Sequence, residues 1–244
     1  MEVGSWRLEV GTSPPKPALS PALSKVEGKV EGLGGIEGGR MIEIEEARQY
    51  YSDSDAAHDF DHVLRVLALA ERIGQAEGAA MDIVRTATLL HDVARADEER
   101  IGACHAKTGS GRARLILASY PADKVEAVVQ AIASHRFRDD VIPQTLEAKV
   151  LYDADKLDAI GAIGIARAYA LAGRRGQRLW AEIPDGSLTE SQPTNHTPVH
   201  EFIFKLSRLK GTLFTTTARQ IAEDRHRYLV EFFDRLAEEV QGKR

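Results

Sequence analysis

A single cysteine, Cys104, is all the thiol chemistry this 244-residue chain has. One thiol can neither close an internal disulfide nor build a thiolate metal cluster, so a disulfide scaffold and a thiolate-type structural zinc site are both excluded. Long apolar runs are missing too. No stretch approaches the roughly 20 residues that cross a bilayer, and the opening MEVGSWRLEV lacks the basic flank and continuous apolar segment of a secretory signal. Positive charge is in deficit: 32 Lys and Arg stand against 37 Asp and Glu, a net charge of -5 with pI near 5.9. A nucleic-acid or anionic-membrane partner would call for a basic face. A soluble protein of the cytoplasm, with no nucleic acid or membrane as partner, is the expectation.

What is present is 43% apolar and 28% charged residues, enough for one sizeable core. The distribution is uneven. Eight of the 20 glycines and four of the nine prolines fall within residues 1–40, a density that places that segment in the disordered class. It also carries PALS twice, at 17–20 and 21–24, and KVEG twice, at 25–28 and 29–32. The segment reads as a dispensable low-complexity extension with Met41 the natural start; a flexible tether for a partner is the alternative.

From Met41 onward apolar residues recur with helical spacing, and no convincing period-2 run interrupts them. The spacing predicts helices over about 55–75, 80–95, 109–119, 121–134, 145–169, 198–210 and 215–240, with a Gly-, Pro- and Ser-containing loop at 173–197. The fold class is therefore all-α, a helical bundle over residues 41–244.

Several polar residues fall on the buried faces of these helices. His62 precedes Val66, Leu69, Ala70 and Ile73 by 4, 7, 8 and 11 positions. His91 follows Ala87 by four and Val84 by seven, Asp92 is its neighbour, and Asp155 follows Leu151 by four and Ala148 by seven. Imidazoles and carboxylates are costly to bury unless something binds them. Each taken singly reads as a satisfied core histidine or a capping carboxylate. Four of them on three helices can converge on one divalent metal ion between the core helices.

The order His, His-Asp, Asp resembles the HD-domain superfamily of metal-dependent phosphohydrolases. AHDFDHVLRVLALA (57–70), ATLLHDVAR (87–95), DADKLDAIGAIGIARAYA (153–170), HEFIFKLSRLKG and TARQIAEDRHRYLVEFF are similar to a subfamily of small single-domain bacterial HD hydrolases, over about residues 50–240. The resemblance implies His62, His91, Asp92 and Asp155 as metal ligands, with His91, Asp92 and Asp155 also catalytic. Within DADKLD it points to Asp155, because the superfamily's ligand follows Ala; Asp153 and Asp158 are the alternatives. Two nitrogen and two carboxylate ligands suit Mn, Mg, Fe, Co or Ni, and leave an octahedral ion about two open positions. A bound ion would acidify a water and offset charge on a phosphoryl group, implying a phosphatase or phosphodiesterase acting on a small phosphorylated metabolite, a nucleotide above all.

Some family members are dinuclear. His135, beside Arg136 and Arg138, is the best candidate for a second metal or for substrate, and His58 the next, though His58 also reads as a polar helix-start residue. His105, His196, His200 and His226 show no mutual metal spacing. Arg95 and Lys156 are the phosphate-binding candidates nearest the cluster; Lys107 and Arg112 flank a GSG expected to form a turn whose N–H groups could hold phosphate. Certain nucleotidases of the family carry an acidic residue three positions after the HD pair, where this chain has Arg95. The GYP signature of cyclic di-GMP phosphodiesterases and the extended motif of dNTP triphosphohydrolases are absent. A non-catalytic metal-binding regulatory protein is the alternative to an enzyme. Oligomeric state is not legible from one chain.

Overall fold

In the computed structural model, residues 41–51, 60–101, 104–136, 141–182 and 196–244 are described. The expected extension over residues 1–40, the helix start near Asp55, His58 and Arg138 lie outside them. Among the described residues there are helices and no strands: α1 (Ile44–Arg48), α2 (Phe60–Glu77), α3 (Met81–Leu90), α4 (Arg95–Ile101), α5 (His105–Ile116), α6 (Ala122–Ala133), α7 (Leu146–Asp158), α8 (Gly161–Arg174), α9 (Pro198–Glu201), α10 (Ser207–Leu209) and α11 (Thr216–Val240). Helices α9 and α10 are joined by one π turn, Phe202–Leu206, so residues 198–209 run as a single helical stretch. No described helix is long and apolar enough to cross a membrane.

Helix α2 lies at the centre, packed against α3 and α7. Val63, Val66, Ala70 and Ile73 recur at helical spacing and are fully buried, the valines and the isoleucine each contributing about 1.5–3 kcal/mol on burial. Gly74 lets α3 approach: a Cβ there would lie 2.8 Å from the sulfur of Met81. The threonines on the inner side of α3 are buried without loss, because Thr86 and Thr88 donate to the Asp82 and Val84 carbonyls at 2.7 Å. Helix α6 packs against α3, and α5 against α6. Helices α8 to α11 form the other side of the bundle, where Phe202 and Phe233 stack with ring centroids 4.3 Å apart. Asp153 of α7 ties the two sides together, accepting from the Phe214 and Thr215 amides at 2.9 and 2.7 Å, at the N-terminus of α11.

The architecture agrees with the all-α expectation, but three boundaries move. The helix expected over 145–169 is two, because Gly161 takes φ +76° and ends one before starting the other. The helix expected over 80–95 stops at Leu90, and residues 91–94 form a tight turn into α4. The GSG expected as a turn lies inside α5, where its amides are part of the helix. Gly109 there faces the His91 carbonyl, 3.4 Å from where a Cβ would stand, so this glycine serves helix approach and not phosphate.

Candidate metal centre

Helix α2 carries His62 inward; the turn after α3 presents His91 and Asp92; α5 opens with His105; His135 follows the end of α6; and α7 supplies Asp155. The four imidazoles are held the same way. His91 Nδ1 donates to the Thr88 carbonyl at 2.7 Å and His135 Nδ1 to the Ile132 carbonyl at 2.6 Å. His62 Nδ1 donates to Asp158 Oδ2 at 2.8 Å and His105 Nδ1 to Glu98 Oε2 at 2.8 Å. With Nδ1 committed as donor, Nε2 is the ring atom left to meet a cation. All four Nε2 atoms turn towards Asp92.

The Asp92 carboxylate sits between them. Its Oδ2 is 3.8 Å from His62 Nε2 and 3.7 Å from His91 Nε2. Its Oδ1 is 3.6 Å from His105 Nε2 and 3.7 Å from His135 Nε2. Asp155 joins the first pair, Oδ1 standing 3.5 Å from His62 Nε2. Donors sharing one octahedral ion at about 2.1 Å stand about 3 Å apart. These separations suit ligands around a cation better than hydrogen-bonded partners. Two triads, His62–His91–Asp92 and Asp92–His105–His135, thus share one carboxylate, each with its ligand atoms within 4.8 Å of one another.

Electrostatics discriminate a metal site from a salt bridge. His91 is 0% exposed, and burial drives its pKa down to about 4, so the ring is neutral at pH 7. Its Nε2 has no hydrogen-bond partner. A bare lone pair therefore points at a carboxylate, an arrangement that repels unless a cation lies between. Burial alone would raise the Asp92 carboxyl, yet the neighbouring His91, His135 and Arg95 hold it well below the usual range. Burial opposes ionisation of Asp155 as well, and Lys156 and His62 outweigh it. Burial would lower His62, but its bonds to Asp155 and Asp158 raise it. Burial also takes His105 down to about 4. The neutral rings of His91 and His105 beside the ionised carboxylates of Asp92 and Asp155 are a donor set for a divalent cation, and the residues fit it.

Of the residues singled out from the sequence, His62, His91, Asp92, Asp155 and His135 come together. Arg95 and Lys156 line the same cavity of about 430 Å³, as does Arg136. Lys156 Nζ donates to Asp155 Oδ2 at 2.5 Å and to the His135 carbonyl at 2.9 Å, joining the two triads from behind. Lys107 and Arg112 do not line the cavity. Lys107 is exposed on α5, and Arg112 donates to the Val93 carbonyl at 3.1 Å. His200 forms a capping box with Thr197, and Trp180 packs against the core. His105, which sequence spacing did not connect to the cluster, has its Nε2 3.2 Å from His135 Nε2. The stripe His105, Gly109, Ala113 is helical and buried, and the glycines hid it. Glu98, one turn after Arg95, was also missed. It accepts from His105 and, at 2.9 Å, from Arg136.

Comparison with known proteins agrees with this geometry. A family model described as HD domain matches residues 59–160. The chain is 33% identical over 213 residues to the Bacillus subtilis protein YpgQ, covering 83% of this chain and 97% of that protein. The crystal structure of Bacillus subtilis YpgQ in complex with ADP matches with a TM-score of 0.63 and 31% identity, over 82% of this chain and 99% of that one. A protein from an uncultured Thermotogales bacterium, described as a predicted HD superfamily hydrolase, matches with a TM-score of 0.57 and 32% identity, over 80% and 90% of the two chains.

Proposed function

This chain belongs to the HD-domain family, and from that premise we propose that it is a metal-dependent phosphohydrolase, a phosphatase or phosphodiesterase acting on a small phosphorylated metabolite, with nucleotides the first class to test. The observation that carries the reading is the unpartnered, neutral Nε2 of buried His91 facing the ionised Asp92. The ADP bound to YpgQ supports a phosphorylated ligand. The lone Cys104 agrees with a cytoplasmic setting.

In this reading His62, His91, Asp92 and Asp155 would hold one divalent ion, and Asp92, His105 and His135 would hold a second. Bound there, the ions supply Lewis acidity and a lowered pKa for water. The chain's own groups do the rest. Asp158, Thr88, Glu98 and Ile132 keep the four imidazoles in the tautomer that presents Nε2. Arg95, Arg136 and Lys156 line the cavity beside the cluster and neutralise phosphoryl oxygens as the ester bond breaks. Asp155, ionised and 17% exposed, faces the cavity and is the carboxylate placed to accept a proton from an attacking water.

Purified protein is to be assayed with Mn²⁺, Co²⁺, Ni²⁺ and Mg²⁺ against nucleoside mono-, di- and triphosphates and cyclic nucleotides. Phosphate or pyrophosphate release is expected with at least one ion and lost in both His91→Ala and Asp92→Ala. Metal-dependent melting without turnover of any substrate would sink the enzyme and leave a regulatory metal protein.

A further inference from the structure

Helix α3 stops at Leu90 although its sequence carries no stop signal. The run TLLHDVARAD has neither the glycine nor the proline that ends most helices. The stop matters, because it lets residues 91–94 turn into α4 and present His91 and Asp92 to the cluster.

Side chains take the last carbonyls of α3. In a continuing helix the Asp92 amide would donate to the Thr88 carbonyl, and the Val93 amide to that of Leu89. Thr88 instead receives His91 Nδ1 at 2.7 Å and the His91 amide at 3.5 Å, while Val93 shifts to the Leu90 carbonyl at 3.3 Å. The Leu89 carbonyl receives the Tyr51 hydroxyl at 2.9 Å. Two side-chain donors therefore end the helix. One belongs to the cluster itself, and the other comes from 38 positions upstream of its acceptor.

Tyr51 is held for that bond. Its ring meets Phe60 edge-on with centroids 5.3 Å apart, and the Arg48 guanidinium lies 4.3 Å from the centre of the same Phe60 ring. Burial pushes the Tyr51 phenol well up from its usual range; the Asp92 charge adds to this, and a hydrogen bond from the Asp92 backbone opposes it. The hydroxyl thus keeps its proton at pH 7 and adjoins Asp92 as well as Leu89.

We infer that Tyr51 is a positioning residue for the metal centre: its hydroxyl fixes the end of α3, and with it the backbone from which His91 and Asp92 reach the cation. The inference rests on the metal reading of the cluster for what that backbone serves. The segment 41–51, anchored by buried Met41, Ile42 and Ala47, is then part of the working centre.

Tyr51→Phe keeps the ring and removes only the donor. Tyr169→Phe is the control, because the Tyr169 hydroxyl is buried without a hydrogen-bond partner and its loss breaks no bond. On the full chain, calorimetry well below the melting temperature is expected to show Mn²⁺ affinity falling about tenfold or more in Tyr51→Phe, as when a group behind a metal ligand is removed. Tyr169→Phe should bind as the unaltered chain does. The paramagnetic resonance spectrum of Mn²⁺ at saturation should change in Tyr51→Phe alone, which a loss of stability by itself does not produce. A lowered melting temperature with affinity or spectrum unchanged, or equal changes in the two variants, would overturn the inference. Failure of the metal reading shows separately, as no Mn²⁺ binding by the unaltered chain. Tyr51 is then read in metal-free protein by hydrogen exchange: the Asp92 and Val93 amides must exchange faster in Tyr51→Phe than in Tyr169→Phe, and equal rates refute its role at the helix end.

Discussion

Asp153, Asp155 and Asp158 share a turn and a half of α7 and point at three different neighbours. At 100° per residue, two positions rotate a side chain by about 200° and three by about 300°. Asp153 therefore faces the start of α11, Asp155 the cluster, and Asp158 the back of His62, where it also accepts from Arg65 and Arg167. Composition alone left all three open as ligands; the family pattern singled out Asp155. Nothing local distinguishes them, because their jobs are set by helices distant in sequence. Burial resists ionisation of Asp158, but His62 and Arg65 take its carboxyl down to about 2, so it stays an anion and orients the imidazole. Asp158→Ala is expected to weaken Mn²⁺ affinity by about 10–100-fold, the usual effect of removing a carboxylate behind a ligating histidine. Asp153→Ala should lower the melting temperature and leave Mn²⁺ affinity nearly unchanged. Metal titration of the two variants checks both, and equal losses of affinity would contradict the division of labour.

At the scale of elements, the α7–α8 junction decides the shape of the cavity. The sequence 145–169 has unbroken helical spacing, and only Gly161 and Gly164 hint at a break. Gly161 is needed for its positive φ, and the chain there also packs tightly, a Cβ standing 3.1 Å from the Arg225 side chain. Gly164 is needed for a backbone contact: a Cβ would meet the Ala159 carbonyl oxygen at 2.1 Å. The consequence is that α8 turns back along α11, bringing Arg167 and Arg174 into the cavity, which is why those cations were invisible to periodicity. Gly164→Ala forces the backbone to shift and is expected to cost about 1–3 kcal/mol, at roughly 2–4 °C of melting temperature for each kcal/mol in a chain of this size. Gly173→Ala, on the same helix with nothing within 4 Å of its Cβ, should be neutral or stabilising, since alanine is the better helix former. Thermal melts of the pair test the contact; similar shifts in the two variants would show that the glycines only lower helix propensity.

On the scale of the whole molecule, the cluster gathers side chains from α2, the turn after α3, α5, the end of α6, and α7, spanning residues 62–155. Helical periodicity was enough to place three of those segments inward and to predict one bundle. It could not pair His105 with His135, because their approach depends on how α5 and α6 pack. Ions bound at this cluster stabilise the folded chain, which alone assembles the site. Free Mn²⁺ at about 100 times its dissociation constant adds about 2.7 kcal/mol per site, or roughly 5–10 °C in melting temperature; chelation with EDTA should reverse it. The size of that shift depends on pH, with a sign fixed by His62. Its raised pKa means that the metal-free fold gains stability from His62 protonation, fully present below pH 6.5 and lost as pH rises through the folded value. Buried His91, lowered to about 4, acts oppositely: it favours the fold above pH 6.5 and weakens it as pH falls towards 4. Metal binding needs His62 neutral, so it must displace that proton. The gap between Mn²⁺-loaded and EDTA-treated melting curves is therefore expected to widen as pH rises from about 5.5 to 8, with about one proton released per cluster loaded at the low end. A gap that stays constant across that range, or no gap at any pH, would mean that the four imidazoles are not what the cation binds.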